Sequence, residues 1–215
     1  MISANIEKIK EQIGQNVQLV AVSKTKPVEM LMEAYNAGQR IFGENKVQEM
    51  IAKHEQMPKD IEWHMIGHLQ SNKVKYIATF VSLIHSVDSL SLLETINKEA
   101  IKNNRVINCL LKIFIADEDT KFGLDEAELN TLLNDESYKK IKNINIIGLM
   151  GMATNTDDEN KIKSEFKKLK SLFDKLSIQF PTFTTLSMGM SNDYKLAIKE
   201  GSTMVRVGSL LFGNR

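Results

Sequence analysis

Along this chain, short unbroken apolar runs alternate with longer stretches in which apolar residues return every third or fourth position. The runs predict buried strands and the stretches predict amphipathic helices. The strand candidates are residues 17–22 (VQLVAV), 41–43, 61–66, 81–85, 106–115, 144–150, 184–187 and 204–207. Helical patterns cover 6–13, 27–37, 45–54, 89–103, 125–133, 157–176 and 192–200, with a loop and a short piece at 73–77 between the third and fourth strands. Pro27 suits a first helical turn, Gly38 a C-terminal cap, and Asp88 or Ser89 the N-cap of the helix at 89–103. Strands that read as apolar runs, without alternation, belong to a parallel sheet covered on both faces. Eight of them with helices between predict an α/β protein, a closed (β/α)8 TIM barrel. An open doubly wound sheet is the alternative, but it usually carries a glycine-rich phosphate turn after its first strand. Ser23-Lys24-Thr25-Lys26 stands there instead.

Composition narrows the function classes. Only three prolines occur and no Ser/Gly-rich linker divides the chain, so residues 1–215 read as a single domain. Lys plus Arg is 28 against 27 for Asp plus Glu, a net charge of +1. That offers no field for nucleic acid or an anionic membrane. No run approaches the length of a membrane span, and residues 1–12 lack a signal-peptide core, so the chain is expected to be cytoplasmic. The one cysteine, Cys109, forbids an intrachain disulfide and a cysteine-based zinc site. It reads as inert core.

In a barrel the chemistry sits at the C-terminal ends of the strands, which selects the polar residues that follow each run. Lys24 closes the first strand, beside Lys26. Burial and like charge there disfavour an ammonium, and a neutral lysine amine attacks aldehydes. The loops after the last two strands, Ser187-Met188-Gly189-Met190-Ser191 and Gly208-Ser209, are where barrels often hold a phosphate. Ser191 is expected to be the N-cap of the helix at 192–200, whose free N–H groups favour an anion. Arg206 interrupts an apolar strand and needs a partner; aimed into the mouth, it could donate to a ring nitrogen and keep it unprotonated. An amine for an aldehyde, a phosphate cradle and a ring-nitrogen donor together describe pyridoxal 5′-phosphate.

The segments AVSKTKP (21–27), FGENKVQE (42–49), WHMIGHLQSNK (63–73), LSMGMSNDY (186–194) and STMVRVGSLLFG (202–213) carry a resemblance. In order, from the first strand onward, they resemble the YggS/PROSC family of pyridoxal 5′-phosphate homeostasis proteins. The resemblance implies the fold of the N-terminal barrel of alanine racemase, with the cofactor at the mouth. It implies Lys24 as the Schiff-base lysine that forms an internal aldimine, and Arg206 facing the pyridine nitrogen. Ser191, Gly208 and Ser209 would form the phosphate cradle, with Ser187 and Asn45 nearby. Lys121 matches a Lys-x-Gly motif of the family; a surface role and a second aldehyde acceptor are both open to it.

Two functions follow: holding the cofactor for delivery, with apo enzymes as acceptors, or catalysis as an amino-acid racemase. Racemisation needs an acid/base on each face of the substrate carbon, and alanine racemase takes one from a tyrosine of a second domain. Tyr35, Tyr76, Tyr138 and Tyr194 all fall in helical or loop stretches here, and the barrel is expected to use the whole chain. These readings favour a carrier, and a monomer. His64 and His68 lack the Glu of the H-E-x-x-H zinc pattern, so His64 is expected inside the barrel. Met150, Met152, Met188 and Met190 are expected to wall the mouth, and the lysine-rich face of the long helix, with Glu165 and Asp174 interspersed, to be solvated.

Overall fold

The apolar runs become parallel strands that close in chain order: β1 (Gln18–Val22), β2 (Ile41–Glu44), β3 (Glu62–Met65), β4 (Leu83–Val87), β5 (Ile107–Lys112), β6 (Ile144–Met150), β7 (Thr185–Met190) and β8 (Met204–Val207). β8 pairs with β1, for example Leu19 with Val205, and closes the barrel. In this computed structural model, residues 2–117 and 123–213 are described. Lys121 lies outside them. The open-sheet alternative is excluded by the β1–β8 pairing.

Helices α1 (Ile2–Ile13), α2 (Val28–Asn36), α3 (Val47–Gln56), α4 (Leu90–Lys102), α5 (Glu126–Asn134), α6 (Glu136–Lys139), α7 (Glu159–Gln179), α8 (Tyr194–Lys199) and α9 (Ser209–Phe212) surround the sheet. A 3-10 helix, Ser71–Tyr76, replaces the crossover helix between β3 and β4. Ser89 caps α4 by accepting from the Leu92 N–H, and Gly38, at φ +84°, ends α2 in the conformation glycine tolerates best. Among the described residues no helix is long and apolar enough to cross a membrane.

Strand ends moved where main-chain partners outweighed apolarity. Val81 is buried, but its N–H already donates to the Ile77 carbonyl, so β4 starts two residues later. Ile113 leaves the sheet to bridge Leu124. α6 and α9 are too short for a periodic signal to reveal them.

The apolar interior has two parts. A large cluster lies between sheet and helices, with Phe42, Trp63, Leu93 and Phe166 buried in it. A small cluster of Val20, Leu83, Leu110, Met150 and Met204 fills the barrel itself. Two residues further along three of these strands stand His85, Lys112 and Arg206. Side chains alternate along a strand, so these three occupy the next layer of the lumen, nearer the C-terminal mouth.

Candidate functional site

The polar layer is wired across the lumen. β4 and β7 are not neighbours, yet His85 Nδ1 lies 3.1 Å from Ser187 Oγ, while His85 Nε2 lies 3.0 Å from His64 Nδ1. Arg206 Nη1 donates to Ser187 Oγ at 2.7 Å and to the Ser187 carbonyl at 3.0 Å; its Nη2 donates to the Gly151 carbonyl at 3.1 Å. Burial pushes His64 down to about 3. It also pushes His85 well below the ordinary histidine value, helped by His64 and by the Arg206 charge. Both rings are therefore neutral, and the charge they face is that of the Arg206 guanidinium. Burial lowers even Arg206, to about 10, with Asp193 opposing. Lys112, buried at the end of β5, is lowered first by burial and further by Arg206, against the pull of Asp88.

Lys24 tops β1. The β1–β2 pairing runs on through Ser23 N–H to the Gly43 carbonyl at 3.1 Å, and the chain then turns, closed by Lys26 N–H to the Ser23 carbonyl at 3.0 Å. Thr25 has φ +65° within this turn. A β-branched residue there costs on the order of 1–3 kcal/mol and persists only where its surroundings impose it. Lys24 is half-buried, and its amine has no hydrogen-bond partner among the described residues. Lys26 differs from its sequence reading. Its Nζ reaches the Gly213 carbonyl at 2.9 Å and the Phe212 carbonyl at 3.4 Å, at the end of α9. It acts on that helix terminus and not as a cation beside Lys24.

A charged cluster underlies the turn. Lys53 Nζ donates to Ser23 O, Glu44 Oε1 and Glu49 Oε1, each at 2.7 Å, and Ser23 Oγ donates to Glu44 Oε1 at 2.6 Å. Glu44 is fully buried, and burial raises its carboxyl pKa against the opposing bonds from Lys53 and Ser23. Its Oε2 has no hydrogen-bond partner among the described residues.

The end of β8 lies against the end of β1. A Cβ on Gly208 would stand 3.1 Å from the Val22 carbonyl oxygen, so only a bare backbone fits comfortably. The Gly208 N–H donates to Ser191 Oγ at 3.2 Å, which ties the β7 loop to the β8 loop. Ser191 therefore does not cap α8. Asp193 flanks that helix, with its carboxylate accepting from the Met190 N–H at 2.5 Å. Asn45 follows β2 directly and is half-buried. Its backbone is so close to Gly67 that a Cβ there would lie 2.4 Å from the Asn45 carbonyl oxygen.

All seven sequence candidates thus stand on one arc of the mouth, at the ends of β7 (Ser187, Ser191), β8 (Arg206, Gly208, Ser209), β1 (Lys24) and β2 (Asn45). His85 and Glu44 stand among the polar residues that follow the fourth and second apolar runs, but sequence reasoning gave them no role, and it missed Lys112, Lys53 and Glu49. An anomalous charge at a strand end could have signalled Lys112. Three further expectations need correction. Met188 faces the outer core, because β7 alternates and Ser187 takes the lumen side. Met150 fills the lumen, and only Met152 and Met190, each 38 % exposed, stand at the rim. Glu165 is buried, accepting from Thr154 N–H and Oγ1 at 2.7 Å each. His64 and His68 share no helix: His64 is in the lumen, and His68 is exposed with Nδ1 3.7 Å from Asp88.

The chain matches the family described as alanine racemase, N-terminal domain, over residues 1–215. It belongs to that class of barrels. It is 40 % identical over 215 residues to the pyridoxal phosphate homeostasis protein of Aquifex aeolicus (strain VF5), covering 98 % of this chain and 93 % of that one. With the protein of the same name from Escherichia coli (strain K12) it shares 34 % over 228 residues, 100 % of this chain and 97 % of the other. Within the class, then, it is a member of the pyridoxal phosphate homeostasis protein family. PipY of Synechococcus elongatus PCC7942, 37 % identical, superposes with TM-scores of 0.93 without PLP and 0.90 with PLP bound, over 99 % of this chain and 100 % of that one. An alanine racemase of Clostridium difficile 630, 16 % identical, shares the fold at a TM-score of 0.79; this chain spans 56 % of it.

Proposed function

We propose that this chain binds pyridoxal 5′-phosphate at the C-terminal mouth of the barrel and serves as a carrier that keeps the cofactor in reserve for enzymes that need it. The observation that carries the reading is the arc itself. It joins a half-buried primary amine with no hydrogen-bond partner among the described residues, a bare-backbone notch beside a serine hydroxyl, and a buried guanidinium on adjacent strands. These groups match the aldehyde, the phosphate and the ring nitrogen of the cofactor in kind. The solved PipY structure with PLP bound, and the names of the curated relatives, support the same ligand.

When bound, the cofactor supplies an aldehyde that condenses with a primary amine. In this reading Lys24 is the covalent anchor. Ser191, Gly208 and Ser209 hold the phosphate, with small residues and main-chain N–H groups at close approach. Arg206 stays charged and donates, so the ring nitrogen it meets remains unprotonated, which suits holding the cofactor more than using it as an electron sink. Ser187 fixes the guanidinium, and Asn45 borders the mouth. The reading further takes residues 1–215 as one domain, acting as a monomer in the cytoplasm, with apo enzymes as acceptors.

The test is attachment. Wild type and Lys24→Ala are incubated with pyridoxal 5′-phosphate, reduced with borohydride and digested, and the adduct is located by mass spectrometry. Wild type is expected to carry it at Lys24, and the variant to lose it. No adduct in wild type, or an adduct unaffected by the substitution, would overturn the reading.

A further inference from the structure

We infer that Glu49 and Lys53, one helical turn apart on α3, are positioning residues that aim Lys24 into the mouth. The inference rests on Lys24 being the covalent anchor, and adds what sets its direction.

Two peptide groups flank the Lys24 Cα, and each is held by one of these side chains. The Ser23 carbonyl belongs to the peptide before Lys24 and accepts from Lys53 Nζ at 2.7 Å. The Thr25 N–H belongs to the peptide after Lys24 and donates to Glu49 Oε1 at 2.5 Å. Glu49 and Lys53 are also paired with each other at 2.7 Å. Lys53 is anchored from below by the buried Glu44, which holds Ser23 Oγ as well. With both planes fixed, φ and ψ of Lys24 are fixed, and so is the direction of its Cα–Cβ bond. An i, i+4 pair on a solvated helix face would be worth little; here the pair is spent on a backbone.

The strain at Thr25 shows what the clamp opposes. Ser23 to Lys26 form a turn closed by the Lys26 N–H, with φ +65° at its third residue, the type II pattern. Glycine or asparagine usually holds that place. A threonine there favours the type I alternative, in which the peptide between Lys24 and Thr25 is turned over and its N–H leaves Glu49. Glu49 selects the strained form because it accepts only from that form, and the charge strengthens the bond. Loss of Glu49 lets the peptide turn over and swings the amine off its line of approach.

Attachment itself joins the Lys24 nitrogen to the aldehyde carbon, and the aldehyde oxygen leaves as water. The clamp touches none of these atoms, so its loss is read in the rate of attachment and not in the grip on the phosphate. The experiment compares wild type, Glu49→Ala, and Glu49→Ala combined with Thr25→Gly. Adduct formation at Lys24 is followed by borohydride trapping and mass spectrometry. In parallel, equilibrium binding of pyridoxine 5′-phosphate, which has no aldehyde, is measured. Glu49→Ala is expected to slow trapping on the order of 10- to 100-fold, the scale of a misplaced reacting group, with pyridoxine 5′-phosphate binding unchanged. Adding Thr25→Gly should recover much of the rate, because glycine takes the type II turn without help. Trapping at the wild-type rate in Glu49→Ala, equal losses for both ligands, or no recovery in the double variant would overturn the clamp. Absence of any Lys24 adduct in wild type would instead overturn the anchor, and the clamp with it.

Discussion

The two halves of the barrel lumen share β4, β5 and β8 and solve opposite problems. The half nearer the N-terminal ends is filled by Val20, Leu83, Leu110 and Met204, which ask nothing of their neighbours but volume. Two residues on from Leu83, Leu110 and Met204 stand His85, Lys112 and Arg206, with His64 and Ser187 tied to His85 and Arg206 by directional hydrogen bonds. The first half is expected to carry stability. The second half gives some of it up: a buried guanidinium and two buried imidazoles cost desolvation, which their mutual hydrogen bonds offset only in part. Both layers were available to either chemistry, so polarity was placed where a ligand can reach it.

Substitutions can break this contrast, starting with the apolar half. Leu110→Ala should cost about 2–5 kcal/mol, the range for a buried leucine that leaves a cavity. Urea unfolding would show it as a lower midpoint with the slope unchanged, and pyridoxal 5′-phosphate trapping at Lys24 should persist in the folded fraction. A smaller loss is expected from Ser187→Ala, about 1–3 kcal/mol, because it strips one partner from both Arg206 and His85. If that variant proves as costly as Leu110→Ala, the division of labour fails.

Acid sharpens the same contrast. The folded-state pKa values of His64 and His85 lie below the unfolded value near 6.5. The unfolded chain therefore takes up the protons first. Their contribution to stability is full above about pH 6.5 and falls as pH drops through the window towards about 3. The limiting slope is about 1.4 kcal/mol per pH unit for each histidine. Glu44, raised by burial, pulls the other way: its folded form binds a proton at higher pH than its unfolded form. Replacing both histidines by asparagine should flatten the acid limb of a stability-versus-pH curve measured by urea titration; an unchanged limb would show that folding does not shift the proton affinity of the two rings. The mildest effect is expected at the boundary, where Met150→Leu conserves volume and should cost less than about 1.5 kcal/mol.

How much of this was legible in the chain differs by element. β6 and β8 begin and end where their apolar runs do, because nothing nearby competes for their amides. β4 shifted because the Ile77 carbonyl claims the Val81 N–H, a partner no hydropathy pattern displays. Lys24 and Arg206 stood out for a simple reason: a cation at or inside an apolar run is costly unless it has work. The His64–His85–Ser187 chain did not stand out, since it joins strands that meet only once the barrel closes. Glu49 and Lys53 were hidden more thoroughly. At i, i+4 on a helix they look like any solvated pair, and only the fold shows a backbone between them.

Cys109 sits in β5, wholly shielded, with its thiol pushed up by burial. It is the chain's sole sulfhydryl. A colourless reagent that turns yellow on meeting free thiolate would therefore stay silent on the native barrel and report only when the sheet opens. The protein comes with its own stopwatch for unfolding, and a cysteine placed at the rim could carry a dye with no second position competing for it.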